Sequence, residues 1–343
     1  MSKASNTTLK SFFETGDIPV QSNFEDLIDS LSNLDSDSWN IDVTGTTDTS
    51  TTLQSYLDSS SDGDTIFLPK GTIYLTTSVT ITKKIKIVGQ GTVIKLTTGI
   101  KGLIFDADDI SIENVDFQYV TGTKNLSQYG IFVNSKNNFK IHNCKFNDLY
   151  HGIGFESTIL SGNNVNSEIS NCYFESNTYG ILGGVRGEYV NIIGCRGYLN
   201  TNHIEFSGGN ININGCILTR GINGINVLSG ANDSHGIING CEINHQSGNA
   251  LYFDSIVNGH TVSNTHIFQG KIHLKDCIGV SLKSCMLDIT DFRFETATGS
   301  VFSNNRHSLA YANTVDKEYN GDPVSTIISN NNYILNGTAY TDI

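Results

Sequence analysis

The sequence predicts an all-β protein built as a parallel β-helix, a solenoid whose short coils stack on one another. Two observations predict this fold. A short motif, in which an apolar residue is followed three positions later by an anchor that is usually Cys, recurs ten times at intervals of 20 to 29 residues. A second unit, a small residue followed by an apolar one, stands eight or nine residues after four of these anchors, and His203-Ile204 stands at the same offset after Cys195. Two short strands with a fixed gap, repeated at this period, are typical of a solenoid.

The first motif places six of the seven cysteines at one position of the repeat, the anchor position: Cys144, Cys172, Cys195, Cys216, Cys241 and Cys285. Val115 and Thr265 occupy the same position on other coils. A need for a small apolar side chain explains this set better than disulfides or metal ligands do. We therefore predict a column of buried, reduced thiols. The Asn that often precedes the anchor suits a left-handed corner and can hydrogen-bond to the Asn of the next coil.

Two helical patterns precede the repeats. Between Phe24 and Leu34, apolar residues recur at helical spacing, which predicts an amphipathic helix within an N-terminal segment of residues 1–40. A shorter pattern puts Leu53, Tyr56 and Leu57 on one face of a helix at about 51–57. We therefore divide the chain into this N-terminal segment and a β-helix domain over residues 41–343.

Composition excludes several functions. The net charge is −13 and only 16% of residues are charged, which argues against nucleic-acid binding because that task needs clustered Lys and Arg. The sequence contains no run of about 18 apolar residues, so we expect no membrane span. The first residues lack the apolar stretch of a secretory signal, so we expect synthesis in a cytoplasm.

No cofactor or metal motif is recognisable in the sequence. We therefore predict no cofactor and no metal. One alternative stays open at this point. The acidic run of Asp106, Asp108 and Asp109 could bind calcium, or it could be a solvated corner between coils.

The segments 48–57 and 63–75 resemble the entry into the pectin-lyase-like right-handed β-helix domain of bacteriophage tailspikes and polysaccharide-degrading enzymes. The resemblance covers roughly residues 42–335 and implies that the helix at 51–57 closes the first coil. Residues 13–28 also look like a short N-terminal module of phage structural proteins. Together these resemblances imply a virion tail spike or fibre protein. It would attach to other tail proteins through residues 1–40, form a homotrimer and contact host-surface polysaccharide.

The resemblance leaves the activity open. Polygalacturonase-like members carry Gly-His-Gly among other motifs, and here Tyr150-His151-Gly152 and Ser234-His235-Gly236 match only in part. The carboxylate calcium site of pectate-lyase-like members is missing. One alternative is an active depolymerase, either a lyase or a glycoside hydrolase. The other is a purely structural virion component.

The richest outward column stands about ten residues after the anchors, and it contains Glu205. Glu205 is our first candidate catalytic carboxylate. Glu156 is the second, two coils away and about 10 Å along the axis, close to the separation of about 6.5–9.5 Å in inverting glycosidases. We expect His203 to lie on the same exposed face as Glu205. The predicted glycan-binding residues are His203, Tyr252, Asn226, His151 and Tyr179.

Overall fold

The computed structural model describes residues 41–120, 122–156, 166–184, 187–228, 234–257, 259–295 and 298–308, and four short strands beyond them at 317–320, 327–329, 332–335 and 338–341. This part of the chain forms a parallel β-solenoid of about 10 turns with very little helix, so the predicted fold class is confirmed. The predicted N-terminal helix in residues 1–40 lies outside the described residues.

The described strands are short, as expected for coils of 20 to 29 residues. The first sixteen are β1 (Thr44–Asp48), β2 (Thr65–Leu68), β3 (Gly71–Leu75), β4 (Val79–Ile81), β5 (Lys86–Leu96), β6 (Lys101–Phe105), β7 (Ser111–Tyr119), β8 (Tyr129–Asn134), β9 (Lys140–His142), β10 (Lys145–Asn147), β11 (His151–Glu156), β12 (Ser167–Ser170), β13 (Tyr173–Glu175), β14 (Tyr179–Gly183), β15 (Gly187–Ile193) and β16 (Arg196–Tyr198). The others are β17 (Asn202–Ser207), β18 (Gly209–Asn214), β19 (Ile217–Thr219), β20 (Asn223–Leu228), β21 (Ser234–Asn239), β22 (Glu242–Asn244), β23 (Asn249–Asp254), β24 (His260–Ser263), β25 (His266–Lys275), β26 (Ser281–Lys283), β27 (Met286–Glu295), β28 (Val301–Ser303), β29 (Arg306–Ser308), β30 (Lys317–Asn320), β31 (Ile327–Ser329), β32 (Asn332–Leu335) and β33 (Thr338–Thr341).

Each complete coil contributes one strand to each of three parallel sheets. Sheet 1 contains β2, β9, β12, β15, β18, β21, β24, β26, β28, β31 and the first parts of β5 and β7. Sheet 2 contains β1, β3, β10, β13, β16, β19, β22, β29, β32, the last parts of β5 and β7, and the first parts of β25 and β27. Sheet 3 contains β4, β6, β8, β11, β14, β17, β20, β23, β30 and the last parts of β25 and β27. Only the pairing of β32 with β33 is antiparallel among the described strands.

Like residues stack on like residues inside the solenoid. On sheet 2, Phe117, Phe146 and Phe174 lie in register on successive coils, with ring centroids 5.1 Å apart in each pair and nearly parallel planes. On sheet 1, isoleucines form the corresponding inward column, and those from Ile87 to Ile238 are buried. The buried apolar area of these columns, rather than any single contact, stabilises coils that have no independent core.

The predicted thiol column is confirmed. All seven cysteines are buried and free, including Cys277, which lies outside the repeat position. Val115 and Thr265 are buried in the same column. The residue before each described anchor is left-handed, as at Asn143 with a φ of 49° and Asn171 with a φ of 53°. Asn143 Nδ2 donates to Asn114 Oδ1 on the preceding coil at 2.6 Å, which is the predicted corner ladder.

Thiol labelling tests this column. We expect none of the seven cysteines to react with a thiol reagent in the native protein, because each is buried. Burial also raises the pKa of Cys285 to about 11, which leaves almost no reactive thiolate at neutral pH. In denaturant, all seven cysteines should become reactive together as the solenoid unfolds. Rapid labelling of most of them without denaturant would contradict the inward placement.

A helix closes the first coil. Helix α1 (Ser50–Ser59) spans the predicted helix at 51–57 and buries Leu53 and Leu57 in the core. The Gln54 side chain donates to the Thr80 carbonyl at 2.8 Å and accepts from the Thr80 N–H at 2.7 Å. These bonds to β4 satisfy backbone groups that would otherwise have no strand beneath them.

Candidate functional site

The outer surface of sheet 3 carries the predicted site residues. Its outward side chains form three columns along the solenoid axis, which together we call the sheet-3 face. Column A contains Lys101, Tyr129, His151, Tyr179, Asn202 and Asn223. Column B contains Phe132, Gly154, Leu182, Glu205, Asn226, Tyr252, His273 and Arg293. Column C includes Asn134, Ser207, Leu228, Asp254, Lys275 and Glu295.

The predicted alignment of the column that contains Glu205 agrees with the register. Leu182 pairs with Glu205, Glu205 with Asn226, and Asn226 with Tyr252. Tyr252 therefore stands two coils after Glu205, as the repeat spacing predicts. Adjacent coils are about 4.8 Å apart, so column B presents its side chains at nearly the spacing of a β-sheet ladder.

Aromatic rings cover the start of the face. The Tyr129 and His151 rings stack with centroids 4.1 Å apart, and the His151 and Tyr179 rings with centroids 5.2 Å apart. Tyr150 packs against both His151 and Tyr179 at 4.7 and 6.0 Å. Lys101 Nζ lies 3.2 Å from the centroid of the Phe132 ring, a cation–π contact. This aromatic cluster forms a stacked row of rings along the face.

Glu205 occupies the centre of the face next to a group of amides. Asn226 Nδ2 donates to Glu205 Oε2 at 3.0 Å, and Asn223 Nδ2 donates to Asn202 Oδ1 at 2.7 Å. Burial raises the pKa of the Glu205 carboxyl, and the hydrogen bond from Asn226 opposes that shift. Burial raises the pKa of Tyr179 too, with further contributions from the charges of Glu205 and Tyr150. Glu205 and Tyr179 are therefore electrostatically linked across adjacent coils.

The prediction that His203 shares an exposed face with Glu205 is wrong. Only 1% of His203 is exposed, and its imidazole points into the solenoid. Asn200 Nδ2 lies 3.0 Å from His203 Nδ1, and Nε2 has no hydrogen-bond partner among the described residues. Burial lowers the pKa of His203 to about 3, so the ring is neutral. His203 cannot touch a ligand on sheet 3.

A corner of the strand explains this error. The register pairs Asn202 with Asn223 and then Ile204 with Ile225, so position 203 falls at a bend where two consecutive side chains face inward. Other coils have glycine here, as at Gly152 and Gly180, where a Cβ would lie 2.6 Å from a carbonyl oxygen of the next coil. His203 fits because Gly197 and Gly221 leave the space that its ring fills.

Two other predicted ligand contacts lie on the face but are largely covered. Neighbouring rings leave His151 2% exposed, and burial lowers its pKa to about 4. Asn226 is 5% exposed, yet its Oδ1 accepts no hydrogen bond from any described residue. A buried acceptor without a donor is costly unless a ligand or water supplies one. Asn226 therefore marks a point where the face is incomplete without a ligand or water.

The far end of the face is a network of charges. The Tyr252 hydroxyl donates to Asp254 Oδ2 at 2.8 Å, and Lys275 Nζ lies 3.4 Å from the same oxygen. Burial and Asp254 both raise the pKa of Tyr252, so the phenol stays protonated. His273 Nε2 lies 3.4 Å from Glu295 Oε1 on the next coil. Tyr252 keeps its ring at the surface, but its hydroxyl is already engaged.

The second candidate carboxylate, Glu156, is placed by its backbone alone. Glu156 pairs with Asn134, at the end of β11, two coils before the strand of Glu205. Its side chain lies outside the described part of the structure, so the separation of the two carboxylates stays a prediction. Sequence reasoning also missed Tyr129, Tyr150 and Asn202. The signal was present, because Tyr129 and Asn202 share the column of His151 and Tyr179.

The acidic corner at Asp106 has protein partners. Asp106 Oδ1 accepts from Asn134 Nδ2 at 3.1 Å and lies 3.3 Å from Lys136 Nζ. Asp109 Oδ2 lies 3.1 Å from Lys84 Nζ, which lowers the carboxyl pKa. Within the described ranges, no group of three or more His, Cys, Asp or Glu is arranged to hold a metal. The described partners of this corner favour the solvated-corner interpretation over a calcium site.

Comparison with known proteins establishes the fold. No protein-family model and no curated protein sequence matches the chain. Among solved structures, it is similar to the catalytic unit of an α-1,3-glucanase from Streptomyces thermodiastaticus, with a TM-score of 0.60, 12% identity, 85% of this chain and 66% of that chain covered. It is also similar to the A-module of a mannuronan C-5 epimerase from Azotobacter vinelandii, with a TM-score of 0.51, 11% identity, and 87% and 98% covered. The fold is the pectin-lyase-like right-handed parallel β-helix.

The N-terminal fragment of the bacteriophage phi29 gene product 12 also matches this β-helix, with a TM-score of 0.47, 12% identity, and 93% and 76% of the two chains covered. At 11–12% identity, the likenesses to the glucanase and the epimerase define the fold and not the chemistry of the face. Among the described residues, no helix has the length and apolar character that a membrane crossing requires.

Proposed function

We propose that this β-helix is a virion tail spike or fibre protein that contacts host-surface polysaccharide during adsorption. One observation carries the proposal: the sheet-3 face combines a stacked row of aromatic rings with a central carboxylate and an amide oxygen, Asn226 Oδ1, that has no described donor. Aromatic rings stack on sugar faces, and amides and carboxylates bond sugar hydroxyls. Residues 1–40 would attach the β-helix to other tail proteins.

Retention by host polysaccharide tests the proposal. We expect the protein to be slowed in native gels that contain surface polysaccharide extracted from a susceptible host. Tyr179→Ala should weaken this binding about threefold to tenfold, because stacking of one ring is worth about 0.5–1.5 kcal/mol. Tyr198→Ala, on the outer surface of sheet 2, is the matched control and should bind normally. Equal loss in both variants would contradict a site on sheet 3.

A second candidate function is cleavage of that polysaccharide. The raised pKa of Glu205 favours it, because a general acid must hold its proton at higher pH than an exposed Glu does. Incubating the protein with host polysaccharide should then release reducing ends, as in hydrolysis, or produce unsaturated-uronate absorbance, as in a lyase reaction. Intact polysaccharide that still retains the protein would support binding without cleavage.

The homotrimer belongs to the same proposal, and sheet 1 offers a surface for it. From β15 to β24 Glu188 is the one carboxylate at its described outward positions, and it accepts from Asn210 Nδ2 at 2.7 Å. The other outward positions include Asn191, Ile193, Asn212, Asn214, Ile237, Asn239, Thr261 and Ser263. Two copies of a chain with net charge −13 repel each other, and the repulsion is weakest between surfaces that carry few carboxylates. Amide side chains both donate and accept hydrogen bonds, so such a surface is complementary to itself.

A further inference from the structure

The centre of the sheet-3 face lacks cations. No described Lys or Arg stands in columns A to C between Lys101 at one end and Lys271 and Lys275 at the other. Four coils separate Lys101 from the coil of Glu205, about 19 Å, and three coils separate Glu205 from Lys275, about 14 Å. Both distances exceed the screening length of about 8–10 Å at physiological salt. The electrostatic interaction of a charged ligand bound beside Glu205 is therefore mainly with Glu205 and not with these lysines.

Cations on neighbouring surfaces do not neutralise this carboxylate. Lys124 pairs with Asp148 at 2.6 Å and donates to the Ser176 carbonyl. Arg220 is exposed at the corner before Asn223, on the far side of column A from Glu205. Burial and the hydrogen bond from Asn226 are the causes of the shift in the Glu205 pKa, and no cation is among them. Glu205 is a partly desolvated carboxylate with no counterion among the described residues.

The polar atoms around Glu205 are mostly acceptors. Asn226 Nδ2 donates to Glu205 Oε2 and, at 3.4 Å, to Asn202 Oδ1. The buried Oδ1 of Asn226 has no donor among the described residues. Asn202 Oδ1 already accepts from Asn223 as well. A ligand at this point has to bring hydrogen-bond donors, and a carboxylate brings none when ionised.

We infer that the centre of the sheet-3 face takes an uncharged or amine-bearing sugar and rejects a uronate. Sugar hydroxyls and a protonated amine supply the donors that Glu205 and Asn226 need. A uronate carboxylate would sit against an uncompensated negative charge in a partly buried site, where repulsion is weakly screened. This inference rests on the proposed glycan-binding function and specifies its ligand class.

Three polymers of similar length test the inference in affinity gels at physiological ionic strength, where the distant lysines are screened: dextran, chitosan oligosaccharides below the pKa of their amines, and alginate. We expect chitosan to bind most tightly, dextran less tightly and alginate least. Glu205→Gln should weaken chitosan binding about threefold to tenfold and strengthen alginate binding, since it removes the charge and keeps the shape.

Glu242→Gln is the matched control, because Glu242 also accepts from an Asn amide but lies on the outer surface of sheet 2. It makes the same change in net charge and should leave the order of the three polymers unchanged. Alginate binding that is the tightest of the three would overturn the inference while supporting glycan binding. Equal effects of the two variants would overturn it as well. Retention of none of the polymers would contradict the glycan-binding function and the inference together.

Discussion

Acidification from about pH 6.5 to pH 4 is expected to lower the free energy of unfolding by several kcal/mol. His203 and His260 are each 1% exposed, and burial lowers the pKa of both to about 3. Each ring is neutral when folded but takes up a proton at about 6.5 when unfolded. Their contribution is therefore complete above about pH 6.5 and is lost as the pH falls toward 3. At about 1.4 kcal/mol per pH unit, each costs roughly 3 kcal/mol by pH 4.

Denaturant titrations at the two pH values measure this effect. His203→Gln keeps an acceptor for Asn200 and cannot be protonated, so its pH-dependent loss of stability should be smaller by roughly 3 kcal/mol. His245→Asn is the control, because His245 is exposed and left-handed, a conformation that Asn tolerates. If His203→Gln lost as much stability on acidification as the unaltered protein, the conclusion that His203 is neutral in the folded protein would be contradicted.

The repeat made the fold predictable. One anchor position shared by cysteines, Val115 and Thr265 can only be a small buried column, and its spacing defines the coils. The preceding Asn or Gly signals the left-handed corner for a local steric reason. Because each coil stacks on the next in register, column B could be aligned from spacing alone, as the pairing of Glu205 with Asn226 shows.

The direction of individual side chains was harder to predict. Strict alternation along β17 places positions 203 and 205 on the same face, but the bend at 203 breaks that alternation. The repeat alignment did indicate the inward direction of His203, because this residue aligns with the inward-facing Gly152 and Gly180. Hydrogen-bond partners are a second limit. The amide group around Glu205 brings together residues from two adjacent coils, and spacing does not show which oxygen is left without a donor.

Substitution of Glu205 by Gln is expected to reduce polysaccharide cleavage about a hundredfold or more, if cleavage is the activity of this face. Gln preserves the size of the side chain and its contact with Asn226 but cannot transfer a proton. Because burial raises the carboxyl pKa, the unaltered protein should hold the catalytic proton at higher pH than an exposed Glu does. Turnover should then fall as the pH rises through that pKa.

Release of reducing ends from host polysaccharide, measured across pH for each protein, checks this expectation. Glu242→Gln on sheet 2 should cleave at the normal rate, which separates the role of Glu205 from a general effect of charge. Normal turnover by Glu205→Gln would exclude Glu205 as the acid and leave Glu156 as the remaining candidate carboxylate. Since His203 is buried, no imidazole from β17 can replace the missing proton. A residual rate in Glu205→Gln would therefore have to come from another residue or from solvent.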